Sequence, residues 1–251
     1  MKKYIAVIFA TSLLFVMNNN NILAEDLNEE VEREDVTGDG KVDTISVKES
    51  IVTENNHTVI KEILQLDIAG NKTMTIPLSA GHPWLLLTDL NNDGVKDVFV
   101  SIRSGGGKEE VKSYGYTFKN NKKQDVSVPP FVEINGQLLN DYKAKLKVIN
   151  RVYMLDLKAS KRALEQMEIY KNGQLQNSDE LIISEYLQLK PIITTSGKGM
   201  RGVQRVQGAI PNKSLGEIIS VWYFRDGKWM LHDIEYNSNY KKLYQYIETD
   251  E

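Results

Sequence analysis

The stretch DVTGDGKVDTISV, residues 35–47, recurs in altered form as DLNNDGVKDVFVS, residues 89–101. The two copies begin 54 positions apart and share the pattern D-x-[T/N]-x-D-G-x-x-D, which an apolar run follows in each. Because these runs contain Val, Ile and Phe, each copy predicts a loop that leads into a β-strand. An internal repeat of about this length predicts units that stack on one another, since none buries a core alone.

Both copies place oxygen-bearing side chains at a spacing that can surround a hard cation. Calcium takes about six to eight oxygens from carboxylates, carbonyls and water, and the glycine at position six permits the sharp turn that this needs. A carbonyl at position seven then points inward. The predicted calcium ligands are Asp35, Thr37, Asp39, Asp43 and the Lys41 carbonyl in the first loop, and Asp89, Asn91, Asp93, Asp97 and the Val95 carbonyl in the second.

Three other interpretations of the loops are weighed against calcium. An EF-hand needs a bidentate Glu at position twelve and flanking helices, whereas Ser46 and Val100 occupy position twelve and strand-like sequence follows. Asp, Asn and Gly are also ordinary turn residues, although two copies with matched offsets disfavour chance. Magnesium would keep more water and use fewer protein ligands. The sequence therefore favours strand–loop–strand calcium sites.

The rest of the chain predicts an all-β protein with few helical turns. Apolar residues alternate with polar ones over many short segments, and residues 220–236 form the clearest hairpin, with Asp-Gly at its turn. Residues 160–173 predict a helical turn followed by a strand, and the segment after residue 178 is ambiguous. We expect an acidic, solvated lead-in over residues 25–34 and a single β domain over residues 35–251, built as a sandwich, a barrel or a propeller.

The N-terminus predicts export. A short basic head and an apolar run over residues 4–17 lead to Ala24, which indicates a signal peptide over residues 1–24. The run is shorter than the roughly 20 residues of a spanning helix, so no membrane span is expected after cleavage. The chain has no Cys and a net charge of −3, and it shows no basic stripe, which argues against nucleic acid as a partner. We expect a secreted or cell-surface protein.

These features together resemble a known repeat family. The loop DLNNDGVKDVFVSIRSGGG, residues 89–107, the loop at residues 35–43 and the aromatic C-terminal hairpin are similar to exported FG-GAP/VCBS-repeat proteins of Bacillus-like bacteria. The resemblance implies a β-propeller-like assembly of about four short-strand repeats, with a β-sandwich as the alternative, and structural calcium. A third loop would fall at residues 194–202, where Lys198 replaces an acid and no carboxylate remains. That site is expected to have lost calcium.

No catalytic constellation emerges from the sequence. His57, His82 and His232 lack metal-ligand spacing, there is no nucleophile elbow, and Ser104 begins SGGG rather than a phosphate-binding loop. Trp84, Trp222 and Trp229 are candidates for the core or for stacking, and residues 197–205 are basic. The leading hypothesis is a calcium-binding, non-enzymatic binding or structural module whose partner is a cell-surface polymer or a protein. The alternative is an extracellular calcium-stabilised hydrolase that acts on polysaccharide.

Overall fold

A computed structural model describes most of the chain after residue 29. The described residues are 30–54, 57–69, 72–103, 110–126, 128–176, 181–194, 197–208 and 210–247. The predicted signal peptide over residues 1–24 and the SGGG stretch of residues 104–107 lie outside them.

The described chain is all-β, with 65% of its residues in strands and one short helix, which confirms the all-β prediction. Sheet 1 contains β1 (Glu30–Glu34), β2 (Asp43–Glu54), β3 (His57–Ile68) and β4 (Lys72–Pro77). Sheet 2 contains β5 (His82–Thr88), β6 (Asp97–Arg103), β7 (Val111–Thr117) and β8 (Gln124–Asp125). Sheets 1 and 2 are antiparallel meanders, in which each strand pairs with the next one along the chain.

The second half of the chain adds two more sheets of four strands. Sheet 3 contains β9 (Ile134–Leu139), β10 (Lys143–Val148), β11 (Arg151–Asp156) and, from the C-terminal end, β18 (Lys241–Ile247). Sheet 4 contains β14 (Ile182–Thr194), β15 (Gly197–Gln207), β16 (Ser214–Arg225) and β17 (Lys228–Ser238). A short ribbon is formed by β12 (Tyr170–Lys171) and β13 (Gln174–Leu175). No sheet closes into a barrel within the described ranges.

Among the residues that the structure describes, helical structure is limited to one short helix and two single turns. The helix α1 (Lys161–Gln166) follows a 3-10 turn at Lys158–Ser160, and a second 3-10 turn lies at Lys119–Asn121. The predicted helical turn after residue 160 is therefore present, and the short strands β12 and β13 follow it. The ambiguous segment after residue 178 forms the strand β14, which is thirteen residues long.

The lead-in of residues 25–34 differs from its prediction in its second half. Glu30–Glu34 form β1, and Glu34 lies opposite Asp43 of β2. The side chains of residues 31–34 remain exposed to solvent. An acidic edge strand keeps its charges in water while its backbone bonds to the sheet, so charge composition alone did not distinguish it from a loop.

Three apolar cores join the four sheets in pairs. The first core lies between sheets 1 and 2 and includes Ile45 and Val100. The second lies between sheets 2 and 4 and includes Phe99 and Trp222. The third lies between sheets 3 and 4 and includes Leu146. Sheet 4 therefore packs against two neighbours, and the order of packing is sheet 1, sheet 2, sheet 4, sheet 3.

One face of sheet 4 packs against both sheet 2 and sheet 3. Met200, Gln204 and Val206 alternate along β15, so their side chains lie on the same face of the sheet. Met200 belongs to the core with sheet 2, whereas Val206 belongs to the core with sheet 3. Gln204 lies between them and is 2% exposed. The long strands of sheet 4 thus carry one continuous buried face.

Gln204 binds the connector between sheets 2 and 3 to this face through a hydrogen bond. Its Oε1 accepts a hydrogen bond from the Val132 amide at 3.0 Å, and its Nε2 donates to the Ser184 carbonyl at 3.3 Å. Tyr186 donates to the Pro130 carbonyl at 2.7 Å from the same face. A Cβ at Gly202 would lie 2.3 Å from the Tyr186 ring, so only glycine leaves room for this tyrosine.

Candidate metal centre

The two acidic loops occupy equivalent places in the fold. Residues 35–42 join β1 to β2 in sheet 1, and residues 89–96 join β5 to β6 in sheet 2. Each loop therefore connects the first strand of its sheet to the second. The repeat seen in the sequence is thus also a repeat of position in the structure.

The first acidic residue of each loop accepts the same pair of backbone amides. Asp35 accepts the amides of residues 39 and 40 at 3.2 and 2.8 Å, and Asp89 accepts those of residues 93 and 94 at 3.0 and 3.2 Å. Gly40 and Gly94 have φ values of +84° and +87°, a left-handed conformation that favours glycine. The position-six glycine is required by the backbone and not by crowding, since a Cβ there would meet nothing within 4 Å.

The acids at positions five and nine also match between the loops. Asp39 and Asp93 each accept the amide two residues further on, at 2.9 and 3.0 Å. Asp43 accepts the amides of residues 36 and 37 at 3.1 and 3.2 Å, and Asp97 accepts those of residues 90 and 91 at 2.8 and 3.3 Å. Asp43 and Asp97 are both fully buried at the start of their strands. The two loops therefore share one hydrogen-bond framework.

In the first loop, both carboxylate oxygens of Asp35 and of Asp43 accept hydrogen bonds. The Thr37 hydroxyl lies 3.1 Å from Asp43 and 3.4 Å from Asp35, so it can donate to either carboxylate. The other oxygen of Asp43 accepts the Ala69 amide at 3.2 Å. Burial raises the pKa of Asp35, but hydrogen bonds from the amides of residues 40, 38 and 39 and from Thr37 outweigh it, so the pKa lies below its ordinary value. Asp35 is therefore held as a carboxylate.

The second loop leaves one buried acid incompletely satisfied. Oδ1 of Asp97 is shielded from solvent and has no hydrogen-bond partner in the described part of the chain. Burial raises the pKa of Asp97 to about 6, while the Leu90 amide, Thr117 and the Asn91 amide oppose the rise and the nearby charge of Asp93 adds to it. An unpaired buried carboxylate oxygen is costly, and a bound cation is one way to satisfy it.

Two lysines contact the acids of the second loop. Lys198 of β15 places its Nζ atom 3.3 Å from Oδ2 of Asp89. Lys119 places its Nζ atom 3.3 Å from Oδ2 of Asp93 and 3.1 Å from the Asp93 carbonyl. These ammonium groups lie where they would compete with a metal ion for the same carboxylates. No local pattern pointed to Lys119, because the contact joins residues 26 positions apart.

The 3-10 turn Lys119–Asn121 also joins the two loops to each other. The Asn120 amide donates to the Thr37 carbonyl at 2.9 Å. A Cβ on Gly38 would lie 3.2 Å from the Val95 side chain, so the loops are in van der Waals range. The two candidate sites are therefore neighbours.

The third loop predicted over residues 194–202 has a different form. β14 runs to Thr194, β15 begins at Gly197, and these two residues pair, so the stretch is mostly strand and not a nine-residue loop. It does connect the first strand of sheet 4 to the second, as the acidic loops do in their sheets. Its Lys198 lies against Asp89 of the second loop.

The oxygens of the acidic loops have the chemistry that calcium prefers, but they are not arranged around a common point. Among the described residues, no group of three His, Cys, Asp or Glu side chains is placed to hold a metal ion. Most of the carboxylate oxygens accept backbone amides instead. The donor set of carboxylates, one amide oxygen and a carbonyl fits calcium, and the unpaired Oδ1 of Asp97 is the atom that a cation would satisfy.

The remaining candidate residues fall in three kinds of environment. Trp222 and Trp229 lie in the core between sheets 2 and 4, whereas Trp84 is 36% exposed. His232 is exposed and contacts the Tyr223 ring edge to face at 4.8 Å. His82 is exposed at the start of β5, and the side chain of His57 lies outside the described part of the chain. The basic stretch of residues 197–205 belongs to β15.

A partly buried polar cluster that the sequence analysis missed lies between sheets 3 and 4. Lys213 donates to the Ser160 hydroxyl at 2.8 Å, and the hydroxyls of Ser160 and Tyr240 are also 2.8 Å apart. The cavity beside them holds about 10 Å³. That is room for about one water and not for a substrate. We therefore interpret the hydrogen bond between Lys213 and Ser160 as a structural contact.

Comparison with known proteins adds one partial match. Residues 132–237 match the family model described as the YybI C-terminal domain. The matched segment contains β9 to most of β17 and neither acidic loop. No curated protein and no solved structure matches the chain. Within the described ranges, no helix has the length and apolar character to cross a membrane.

Proposed function

We propose that this chain is a secreted, calcium-binding and non-enzymatic module that acts in binding or as a structural element. The observation that carries the proposal is the second acidic loop, in which Asp97 buries a carboxylate oxygen that is unpaired among the described residues and feels the nearby charge of Asp93. The first loop shares its hydrogen-bond framework and is the second proposed site. The resemblance to FG-GAP/VCBS repeats supports calcium as the ion.

Calcium would be held in each loop by the residues that the sequence singles out. In the second loop these are Asp89, Asn91, Asp93, Asp97 and the Val95 carbonyl. A bound calcium ion would supply a fixed double charge that neutralises the acids and holds the first two strands of a sheet together. Because Lys198 and Lys119 now contact these acids, calcium would have to displace at least one ammonium group.

A propeller-like arrangement is the finer proposal for the fold. Four antiparallel sheets of four strands agree with the blades of a propeller, and the C-terminal strand β18 completes a sheet begun by β9. The order of packing, in which sheet 4 lies between sheets 2 and 3, is the feature that favours the sandwich-like alternative. Both arrangements place the two acidic loops side by side.

Secretion is proposed from the first 24 residues. The basic head, the apolar run and Ala24 fit a cleaved signal peptide. N-terminal sequencing of the protein recovered from culture medium should begin at Glu25. Recovery of uncleaved chain in the membrane fraction would contradict this.

The calcium proposal is tested by titration calorimetry. We expect the purified protein to bind two calcium ions with dissociation constants of about 10⁻⁴–10⁻³ M, the range of extracellular modules. Asp93→Asn should abolish one binding event. Asp125→Asn is the matched control, because Asp125 is an exposed acid of β8 that pairs with Lys123 outside the loops. No calcium binding by the wild-type protein would refute the proposal.

The alternative is a calcium-stabilised hydrolase of polysaccharide. Such an enzyme would need a pair of carboxyl groups in the groove that holds its substrate. Such enzymes place two carboxyl groups roughly 5–9.5 Å apart on either side of the substrate. The open groove between sheets 2 and 4 has no Asp or Glu among its described lining residues. We therefore favour binding over hydrolysis.

A further inference from the structure

An open groove, lined by both polar and apolar residues, runs between sheet 2 and the first strand of sheet 4. It has a volume of about 390 Å³, which lies within the range of small-ligand sites. β5, β6 and β7 form one wall, and residues 187–190 of β14 form the other. The groove is separate from both acidic loops, since none of their residues lines it.

The groove lies at the end of one face of sheet 2, and the rest of that face packs against sheet 4. His82 pairs with Arg103 and Trp84 pairs with Ser101 across β5 and β6, and paired residues of an antiparallel ladder present their side chains on the same face. Two residues further along β5, Leu86 lies on this face and packs into the core with sheet 4. Sheet 4 therefore covers the apolar part of the face and leaves the polar part open.

Trp84 is the aromatic element of the groove. Its ring meets Phe99 edge to face at 6.0 Å, which anchors one side of the indole in the core, while 36% of the residue stays exposed. The Nζ atom of Lys190 lies 5.6 Å from the ring centroid. An indole that is 36% exposed and is anchored on one side by Phe99 offers an apolar surface, and Lys190 places a cation over the same ring.

The charge of the groove opposes that of the chain. Arg103 and Lys190 are exposed cations on opposite walls, and no carboxylate is found among the described lining residues. The whole chain has a net charge of −3, so this groove is a local positive region on an acidic protein. Arginine binds carboxylate and phosphate groups with two parallel hydrogen bonds, which suits it to recognise an anion.

We propose that this groove binds an anionic saccharide. The apolar face of a sugar ring stacks on Trp84, and an acidic group of the same or the next sugar is bound by Arg103 and Lys190. Gln188 and Ser101 supply hydrogen bonds to sugar hydroxyls. The inference rests on the proposed role as a binding module, and it names the ligand class of that role. It does not depend on calcium in the loops.

Calorimetry with three oligosaccharide probes tests the proposal. Oligogalacturonate supplies carboxylates, a phosphorylated dextran oligomer supplies phosphates, and a malto-oligosaccharide of equal length supplies neither. We expect at least one anionic probe to bind, with an affinity at least tenfold above that of the neutral probe. Binding of the carboxylate probe alone would assign a uronic-acid ligand, and binding of the phosphate probe alone would assign a sugar phosphate.

Two variants locate the binding. Arg103→Gln and Trp84→Ala should each weaken the binding of the anionic probe at least tenfold, and Arg103 is exposed, so its replacement should leave the fold intact. The matched control is Arg162→Gln on α1, which is exposed and lies outside the groove. The proposal is overturned if neither anionic probe binds, if the neutral probe binds as well, or if Arg103→Gln and Arg162→Gln behave alike. Calcium titration of the same variants keeps this outcome separate from failure of the calcium proposal.

Discussion

The Nζ atom of Lys198 lies 3.3 Å from Oδ2 of Asp89, so a lysine of sheet 4 contacts the first acid of the second loop. The Lys198 side chain is 43% exposed, whereas that of Asp89 is largely buried. The Lys198 ammonium group would compete with the proposed calcium ion for the carboxylate of Asp89. Binding at the second loop is therefore expected to be coupled to the end of sheet 4.

Removing this lysine should strengthen calcium binding at the second loop. We expect Lys198→Met to raise the affinity about fivefold, since calcium would have to break this partly exposed ion pair, and about 1 kcal/mol corresponds to a factor of about five. Titration calorimetry of the variant measures the change. Lys228→Met, an exposed lysine at the start of β17, is the control. Unchanged or weaker affinity in Lys198→Met would show that the lysine does not compete.

The buried amide of Gln204 should be needed for stability. Replacing it by leucine removes the acceptor of the Val132 amide and leaves that amide buried without a partner. We expect Gln204→Leu to lower the free energy of unfolding by about 1–3 kcal/mol, the cost of an unsatisfied buried polar group. Urea denaturation measures this. Gln207→Leu, an exposed position on the same strand, should change it little, and equal effects would contradict the role of Gln204.

Glu62 should make stability depend on pH. The residue is buried, its Oε2 atom has no partner, and burial together with the charge of Glu49 raises its pKa above the ordinary value, although the Gly81 amide and His82 oppose the rise. A carboxyl group whose pKa is raised by folding favours the folded state below its unfolded pKa, near 4.3, and this contribution is lost as the pH rises through the folded pKa.

Glu62→Gln should therefore raise the melting temperature at pH 7 and lose this advantage near pH 4. Melting temperatures of the wild type and the variant between pH 4 and pH 8 test the sign. Glu217→Gln, an exposed acid of β16, serves as the control. A variant that is less stable than the wild type at pH 7 would mean that the charged form of Glu62 is stabilised in the fold.

The parts of the structure that local sequence controls were predictable. Alternating apolar residues predicted the strands, and Asp226 and Gly227, with φ values of +52° and +75°, form the predicted hairpin turn. The matched offsets of Asp35 and Asp89 predicted two equivalent loops, and both join the first and second strands of a sheet. These features depend on residues that are close together in the sequence.

The parts that depend on distant pairings were not predictable. The pairing of β18 with β11 brings together segments about 90 residues apart, and no local pattern specifies such a partner. Gln204 and Lys198 looked like ordinary polar residues of a strand, because their roles come from Val132 and Asp89, which are distant in the sequence. The groove at Trp84 likewise exists only because sheet 4 stops short of covering sheet 2.

The melting temperature in EGTA and in excess calcium tests the central claim most directly. At calcium concentrations of 100 times the dissociation constant, each site should add about 2.7 kcal/mol, which corresponds to a rise of about 5–10 °C per site. The rise should shrink in Asp39→Ala and in Asp93→Ala and persist in Asp125→Ala. If the wild-type protein melts at the same temperature with and without calcium, the repeated loops are turns and not metal sites.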